Sequence, residues 1–331
     1  MDQVCEACEV EPATIEEPCD DPVEPYLLCN ACLSRLQLRT LRPLEWYNLA
    51  KRHGSYRYLL HDDFYDDDRV ACQPEEDVVD SELYPAPSFE TVRHDPESLL
   101  DWCVSRWTLK DQEFEAWSQI PHEDRKSVLT SRFSKSPSDG VKCVILEVIG
   151  NIGDVSYADF VKFVWSKYPD SLALGPLAEA SVACLPFSDG FQRVTAALAA
   201  LEPSKRRDSM NCLGYFESHS GLDWIEENFF EPATESWGYL AASCRPSWAR
   251  ITKWLARGRP LSLVAIDTLR AITRIPTPFL KKRSIQLLDM PTKAEMERVL
   301  LDYINQDPVP RVEQRVKGLL LNTARITRDG E

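Results

Sequence analysis

The sequence contains no P-loop, no G-x-G-x-x-G turn, no G-x-S-x-G elbow and no H-E-x-x-H helix. Those absences remove P-loop nucleotide hydrolases, dinucleotide-dependent oxidoreductases, α/β-type serine hydrolases and zincin proteases. No other pattern commits the chain to a catalysed reaction. Glycine is scarce, 12 in 331 residues, whereas large sandwiches and doubly wound sheets spend more of it on turns and phosphate loops. The shortage points to helices. No window approaches about 18 uninterrupted apolar residues, which excludes a helical membrane span. The first six residues carry neither a basic start nor an apolar stretch, so no secretory signal is expected. With 11 Cys and no export signal, the expected setting is a reducing one, the cytoplasm by default. There, paired cysteines hold metal more often than they form disulfides.

What is present is a chain too long for one ordinary core, suited to two domains or an elongated array. Hydrophobic residues make up 44% and include nine Trp, enough to bury a substantial interior. Charge is unevenly placed. Residues 1–90 hold 21 Asp and Glu against 7 Lys and Arg, residues 91–240 hold 23 against 14, and residues 241–331 reverse to 9 against 17. An acidic start and a basic end bear on what the chain can bind.

Cys5-x2-Cys8 and Cys29-x2-Cys32 form two C-x2-C pairs with twenty residues between them. Each such turn aims two thiolates at one ion, and two turns complete a tetrahedron. The expectation is one structural Zn2+ per chain on Cys5, Cys8, Cys29 and Cys32. The metal replaces the core that so short a segment lacks. Four thiolates leave no open coordination position, so the site should not activate water. Cys19, inside the intervening segment, reads as a spare thiol or as a substitute ligand. That segment has room for a short hairpin, although its prolines limit pairing. The second pair runs into Leu33, Leu36, Leu38 and Leu41 at near-helical spacing. A knuckle followed by a knuckle that starts a helix resembles a treble-clef zinc finger. The 21 acidic residues nearby disfavour a phosphate backbone as its ligand.

Trp46, Tyr47, Tyr56, Tyr58, Phe64 and Tyr65 crowd beside His53, His61, Asp62, Asp63, Asp66, Asp67 and Asp68. LEWYNLAKRHG reads as a helix covering the zinc module, and the Asp run as solvated loop. A partner-binding patch of Trp46, Tyr47, His61, Asp62, Asp63, Tyr65 and Asp66 is the alternative, and a second metal site a third. An EF-hand is excluded because its Gly and its final Glu are missing. Residues 1–70 therefore read as a zinc-finger module with an aromatic and acidic extension. Residues 71–96 read as an acidic linker and 97–331 as a helical repeat domain.

In that last region short helices rich in Leu, Ala, Val and Cys recur. They are VKCVILEVIGNIG from Val141, LAEASVACLPF from Leu177, RDSMNCLGYFES from Arg207, WGYLAASC from Trp237, LSLVAIDTLRAI from Leu261 and RVKGLLLNTARI from Arg315. The last interval leaves room for a degenerate unit around residues 281–289. More polar helices such as YADFVKFVWSKY and GLDWIEENFF lie between. The pattern resembles the HEAT family of helical-pair repeats and implies a mainly α fold, an α-solenoid of stacked pairs behind a small zinc-binding module. A helix pair of this size cannot bury its apolar faces alone, so neighbours must stack. Cys143, Cys184, Cys212 and Cys244 each fall in one of these helices and read as core residues. His122 and His219 have no nucleophile in a recognisable motif beside them.

Arg250, Lys253 and Arg257 share a face at i, i+3 and i+7, followed by basic residues 281–283 and interleaved with Trp248 and Trp254. This reads as a solvated helix face, as a surface for an acidic protein segment, or as a nucleic-acid surface. The functional expectation is an intracellular interaction scaffold or adaptor with a protein partner and no membrane. The alternative is a nucleic-acid-binding solenoid using the basic C-terminal face, since a HEAT-like architecture also serves a family of alkylpurine DNA glycosylases. An enzyme with its site in residues 41–70 is the third reading.

Overall fold

The structure, a computed structural model, describes residues 4–13, 15–17, 26–38, 40–54, 85–106, 109–168, 173–228, 236–274, 287–306, 310–321 and 327. Cys19, His61, Asp62, Asp63, Tyr65, Asp66 and the rest of the acidic run lie outside the described residues, as do residues 71–84 and 281–283. The fold is mainly α. Among the described residues there are 17 α-helices and one two-stranded sheet, and none of the helices is long and apolar enough to cross a membrane. The chain divides into two compact units, Met1–Leu185 and Pro186–Glu331.

The first unit opens with strands β1 (Ile15–Glu17) and β2 (Tyr26–Leu28), paired antiparallel with Ile15 opposite Leu28. Pro18 and Pro25 adjoin these strands and cannot donate to a ladder, in keeping with strands of three residues. Helices α1 (Asn30–Gln37) and α2 (Pro43–His53) follow. Leu33 and Leu36 of α1 pack inward and Leu41 is buried, but Leu38 comes after the last helical residue and stays exposed. Then come α3 (Phe89–Val92), α4 (Pro96–Val104), α5 (Asp111–Gln119), α6 (His122–Lys135), α7 (Asp139–Ile152), α8 (Ala158–Lys167) and α9 (Leu174–Cys184).

Local chemistry explains where these helices start and stop. Asp95 caps α4 by accepting from the Ser98 N–H at 2.8 Å, with Pro96 at the first helical position. Ser138 caps α7 through the Val141 N–H, and Gly153 ends that helix at φ +67°, a left-handed position that costs glycine nothing. Every residue of α7 from Val141 to Ile149 is buried except Glu147. A helix apolar nearly all round belongs at a centre, and α7 contacts α2, α4, α5, α6 and α9.

The second unit comprises α10 (Phe187–Ala200), α11 (Pro203–Ser209), a 3₁₀ segment (Met210–Phe216), α12 (His219–Asn228), α13 (Ser236–Ser243), α14 (Trp248–Ala256), α15 (Leu261–Arg274), α16 (Lys293–Gln306) and α17 (Pro310–Leu320). The helix expected from Arg207 is thus a short α-helix continuing as 3₁₀. Ser209, Asn211 and Gly214 are weak helix formers, and Glu217, at φ +47°, ends the run.

Within each unit the small-residue-rich helices pack on one another in chain order. In the first unit α7 packs on α9; in the second the 3₁₀ segment packs on α13, α13 on α15 and α15 on α17. The contacts have a common register. Gly150 lies against Glu179 and Ala180, Gly214 against Ser243, and Gly238 against Asp267. Gly238 is the tightest: a Cβ there would stand 2.6 Å from the Asp267 carbonyl carbon. The Asp267 carboxylate, itself nearly buried, accepts from Arg315 of α17 at 2.9 and 3.0 Å and from Arg270 at 2.9 Å. Gly238→Ala should therefore force α13 off α15 and destabilise the protein by about 1–3 kcal/mol, read from urea unfolding. Gly175→Ala, in α9 with nothing within 4 Å of the new methyl, should leave stability unchanged or slightly raised.

Candidate metal centre

Two turns bring the cysteines together. In the first, the Cys5 N–H donates to Glu11 O at 2.8 Å, the Glu9 N–H donates back to Cys5 O at 2.9 Å, and Glu9 takes a left-handed φ of 55°. An isolated bridge between Val4 and Pro12 closes the loop. The second turn grows out of β2, where Cys29 is the N-cap of α1 and its sulfur accepts from the Cys32 N–H at 3.5 Å. Glu6 joins the two turns: its N–H donates to Leu27 O at 2.8 Å and its carboxylate accepts from the Leu27 N–H at 3.1 Å.

The four sulfurs of Cys5, Cys8, Cys29 and Cys32 lie within 4.8 Å of one another, Cys8 to Cys29 at 4.0 Å. Metal–sulfur bonds of about 2.3 Å in a tetrahedron set sulfur–sulfur edges of about 3.8 Å, so the donor set fits an ion such as zinc after a small contraction. Three of the cysteines are buried and Cys8 is partly exposed. Burial pushes the Cys32 thiol well up, and Cys29, Glu45 and Cys5 push it further. A cation at the centre reverses that tendency, because a coordinating thiol gives up its proton.

Helix α2 surrounds this cluster with charge. Glu45 is 1% exposed, yet it is held below the usual carboxylate range. Burial alone would raise it; hydrogen bonds from Arg42 and Arg35 outweigh that cost. The Arg42 N–H donates to Glu45 at 3.0 Å, closing the first turn of α2, and Arg35 Nε donates to it at 2.9 Å. Farther along α2, Asn48 Nδ2 donates to Ala7 O between the first pair of cysteines at 3.0 Å, and His53 Nε2 meets Glu6 at 2.9 Å. The Glu6 carboxyl is also lowered: burial raises it, and the contacts with His53 and the Leu27 N–H win.

The other face of α2 docks on the helical body. Ser138 Oγ donates to His53 O at 2.7 Å, and Arg132 Nη2 donates to Lys51 O at 3.2 Å. At Gly54, φ +94°, an added Cβ would sit 3.2 Å from the Gly140 backbone. Trp46 packs against the cysteine cluster, whereas Tyr47 is buried on the other side, near Asp101, Arg106 and Arg132 of the helical body. Glu6, Arg35, Arg42, Glu45 and Asn48 join the site without having been singled out by sequence. The only signal for any of them is a Glu three residues after Arg42 at a Pro-started helix, an N-terminal capping pattern.

Elsewhere, Arg250 of α14 pairs with Asp223 and Glu226 of α12, and Lys253 approaches Glu226 at 3.9 Å. Arg257 is the C-terminal cap of α14. Trp254 Nε1 donates to Glu226 at 2.8 Å and Trp248 Nε1 to Glu295 at 3.0 Å. Two of the three basic residues on this face are thus answered by carboxylates of their own unit. Burial pushes Cys103 to about 12, Cys184 to about 11 and Cys244 to about 12, and Cys212 also upward, so none is a thiolate nucleophile at neutral pH. Compared with known proteins, the chain matches no family model, no curated protein and no solved structure.

Asn48→Ala should leave the buried Ala7 carbonyl without its donor and cost about 1–3 kcal/mol. The loss should appear as a lower melting temperature together with faster amide exchange at residues 5–8.

Proposed function

We propose that residues 4–53 form a treble-clef-like module around one structural Zn2+, held by Cys5, Cys8, Cys29 and Cys32. The helical remainder is a HEAT-like repeat array acting as a scaffold for a protein partner. The observation that carries this reading is the closed, four-sulfur donor set: it leaves no position for water or substrate, so the ion's contribution is cross-linking. The chain-ordered packing of the small-residue helices supports the repeat reading. Large apolar side chains remain on helix surfaces, with Phe163 of α8 at 43% and Tyr239 of α13 at 51% exposed, and these are candidates for partner contact. Nucleic acid as the partner draws less support, because Arg250 is already engaged by Asp223 and Glu226.

Metal analysis of the purified chain should give about one zinc equivalent, and Cys29→Ser should release it and unfold the first 50 or so residues. A well-folded, metal-free protein would refute the zinc assignment. For the scaffold role, the tagged full chain should retain one protein from its own host near stoichiometrically after nuclease treatment. The double change Phe163→Glu and Tyr239→Glu should weaken retention while the melting temperature holds. Steep salt-dependent retention on heparin, with nucleic acid co-eluting instead, is the result that would overturn it.

A further inference from the structure

The surroundings of the four sulfurs are unequal. Arg35 follows Cys32 by one helical turn on α1, which puts both on one face. Its Nη2 donates to the Cys32 sulfur at 3.3 Å. The same guanidinium holds Glu45 through two bonds, Nε to Oε2 at 2.9 Å and Nη2 to Oε1 at 2.5 Å. A planar fork fixed by a carboxylate cannot turn from the sulfur without breaking charge-assisted bonds. Glu45 cannot move either, because Arg42 grips it from main chain and side chain. The Cys29 sulfur receives the Cys32 N–H, and Cys5 is fully buried. Cys8 differs. It is the partly exposed member; among the described residues its sulfur has the Cys29 sulfur at 4.0 Å and, like that of the buried Cys5, no nitrogen donor.

We propose that Arg35, fixed by Glu45, is the outer-sphere anchor of the Cys32 corner of this metal site, and that the bound metal opens from the Cys8 corner. The proposal rests on the metal-site reading above. A cationic N–H bond draws electron density from a thiolate, which makes that sulfur a poorer nucleophile and holds it in place for the ion. Arg35 and Glu45 are positioning residues: they act on the ion through Cys32. Electrophiles therefore meet the site at Cys8, where exposure and electron density coincide.

Two measurements on the full chain test this. In the first, Co2+ replaces Zn2+ and the sulfur-to-cobalt charge-transfer band is recorded. Loss of a donor raises the sulfur orbital, so Arg35→Met should move the band to lower energy, and Arg35→Lys should restore part of the shift. Retained tetrahedral d–d absorption would show that the variants still build the site. In the second, the zinc-loaded wild type receives substoichiometric iodoacetamide. The attacking sulfur bonds to the methylene carbon of iodoacetamide through its own lone pair, iodide leaves with the C–I electron pair, and the metal–sulfur bond breaks. Among the four ligands Cys8 should be modified first, with zinc release in step; in Arg35→Met release should quicken by about tenfold or more. An unmoved band in Arg35→Met, or Cys5, Cys29 or Cys32 reacting as early as Cys8, overturns the proposal. A wild type that takes up neither Co2+ nor Zn2+ overturns the metal reading itself, a distinguishable failure.

Discussion

Four sulfurs within 4.8 Å of one another make an arrangement that thiolates alone cannot keep. At that spacing each pair of unit charges repels by about 3.5 kcal/mol or more even at an effective dielectric near 20. Protonated thiols would escape the repulsion but supply no cross-link, leaving the hydrogen bonds of Glu6, Glu45 and Asn48 and a small apolar cluster to hold the segment. Beyond the cysteines its buried cluster is Ala7, Tyr26, Leu28, Leu41 and Leu49. An isolated hairpin is marginal in water, and this one has three-residue strands. Thiolates held this close need a compensating cation, and the described strands, both turns and the start of α1 are packed around the four sulfurs.

That dependence does not stop at the module. Helix α2 has two duties, closing over the cysteines with Glu45, Asn48 and His53, and docking on the body through Lys51, His53 and Gly54. Because α7 is buried among five neighbours including α2, loosening the cysteine turns would expose apolar surface of α7 as well. The cysteine segment and the first helices accordingly belong to one compact unit, Met1–Leu185.

Much of this was legible in the sequence because it is local. Two C-x2-C pairs need only short turns to aim their sulfurs, and the helix over LEWYNLAKRHG announces itself with Pro43 and Gly54. The recurring small-residue segments around Val141, Leu177, Trp237 and Leu261 correspond to α7, α9, α13 and α15. What was not legible is long-range. Nothing near Glu45 in the chain says that it will be 1% exposed between two arginines, one of them ten residues back. Arg250 and Lys253 look like a free basic face until α12 brings Asp223 and Glu226 against them. The 3₁₀ stretch at Met210–Phe216 shares its composition with the α-helices around it, and only a few weak helix formers separate them.

Apolar contacts are non-directional, and helices as alike in composition as these would pack in several registers if nothing else discriminated. The directional contacts fall where neighbouring elements meet. Glu45 ties α1 to α2 through Arg35; Glu113 of α5 accepts from Trp102 of α4 at 3.1 Å; Asp267 of α15 takes both bonds from Arg315 of α17. Each of these carboxylates is nearly buried, so shifting a helix by one turn would strand a charge in the interior. Breaking a buried ion pair such as Glu45–Arg35 or Asp267–Arg315 costs about 3–5 kcal/mol. The glycine contacts act in the opposite sense, by excluding volume: only Gly at 238 lets α13 reach the Asp267 backbone. Buried charge and missing side chain together favour the observed register, in which even the eight-residue α13 packs closely on α15.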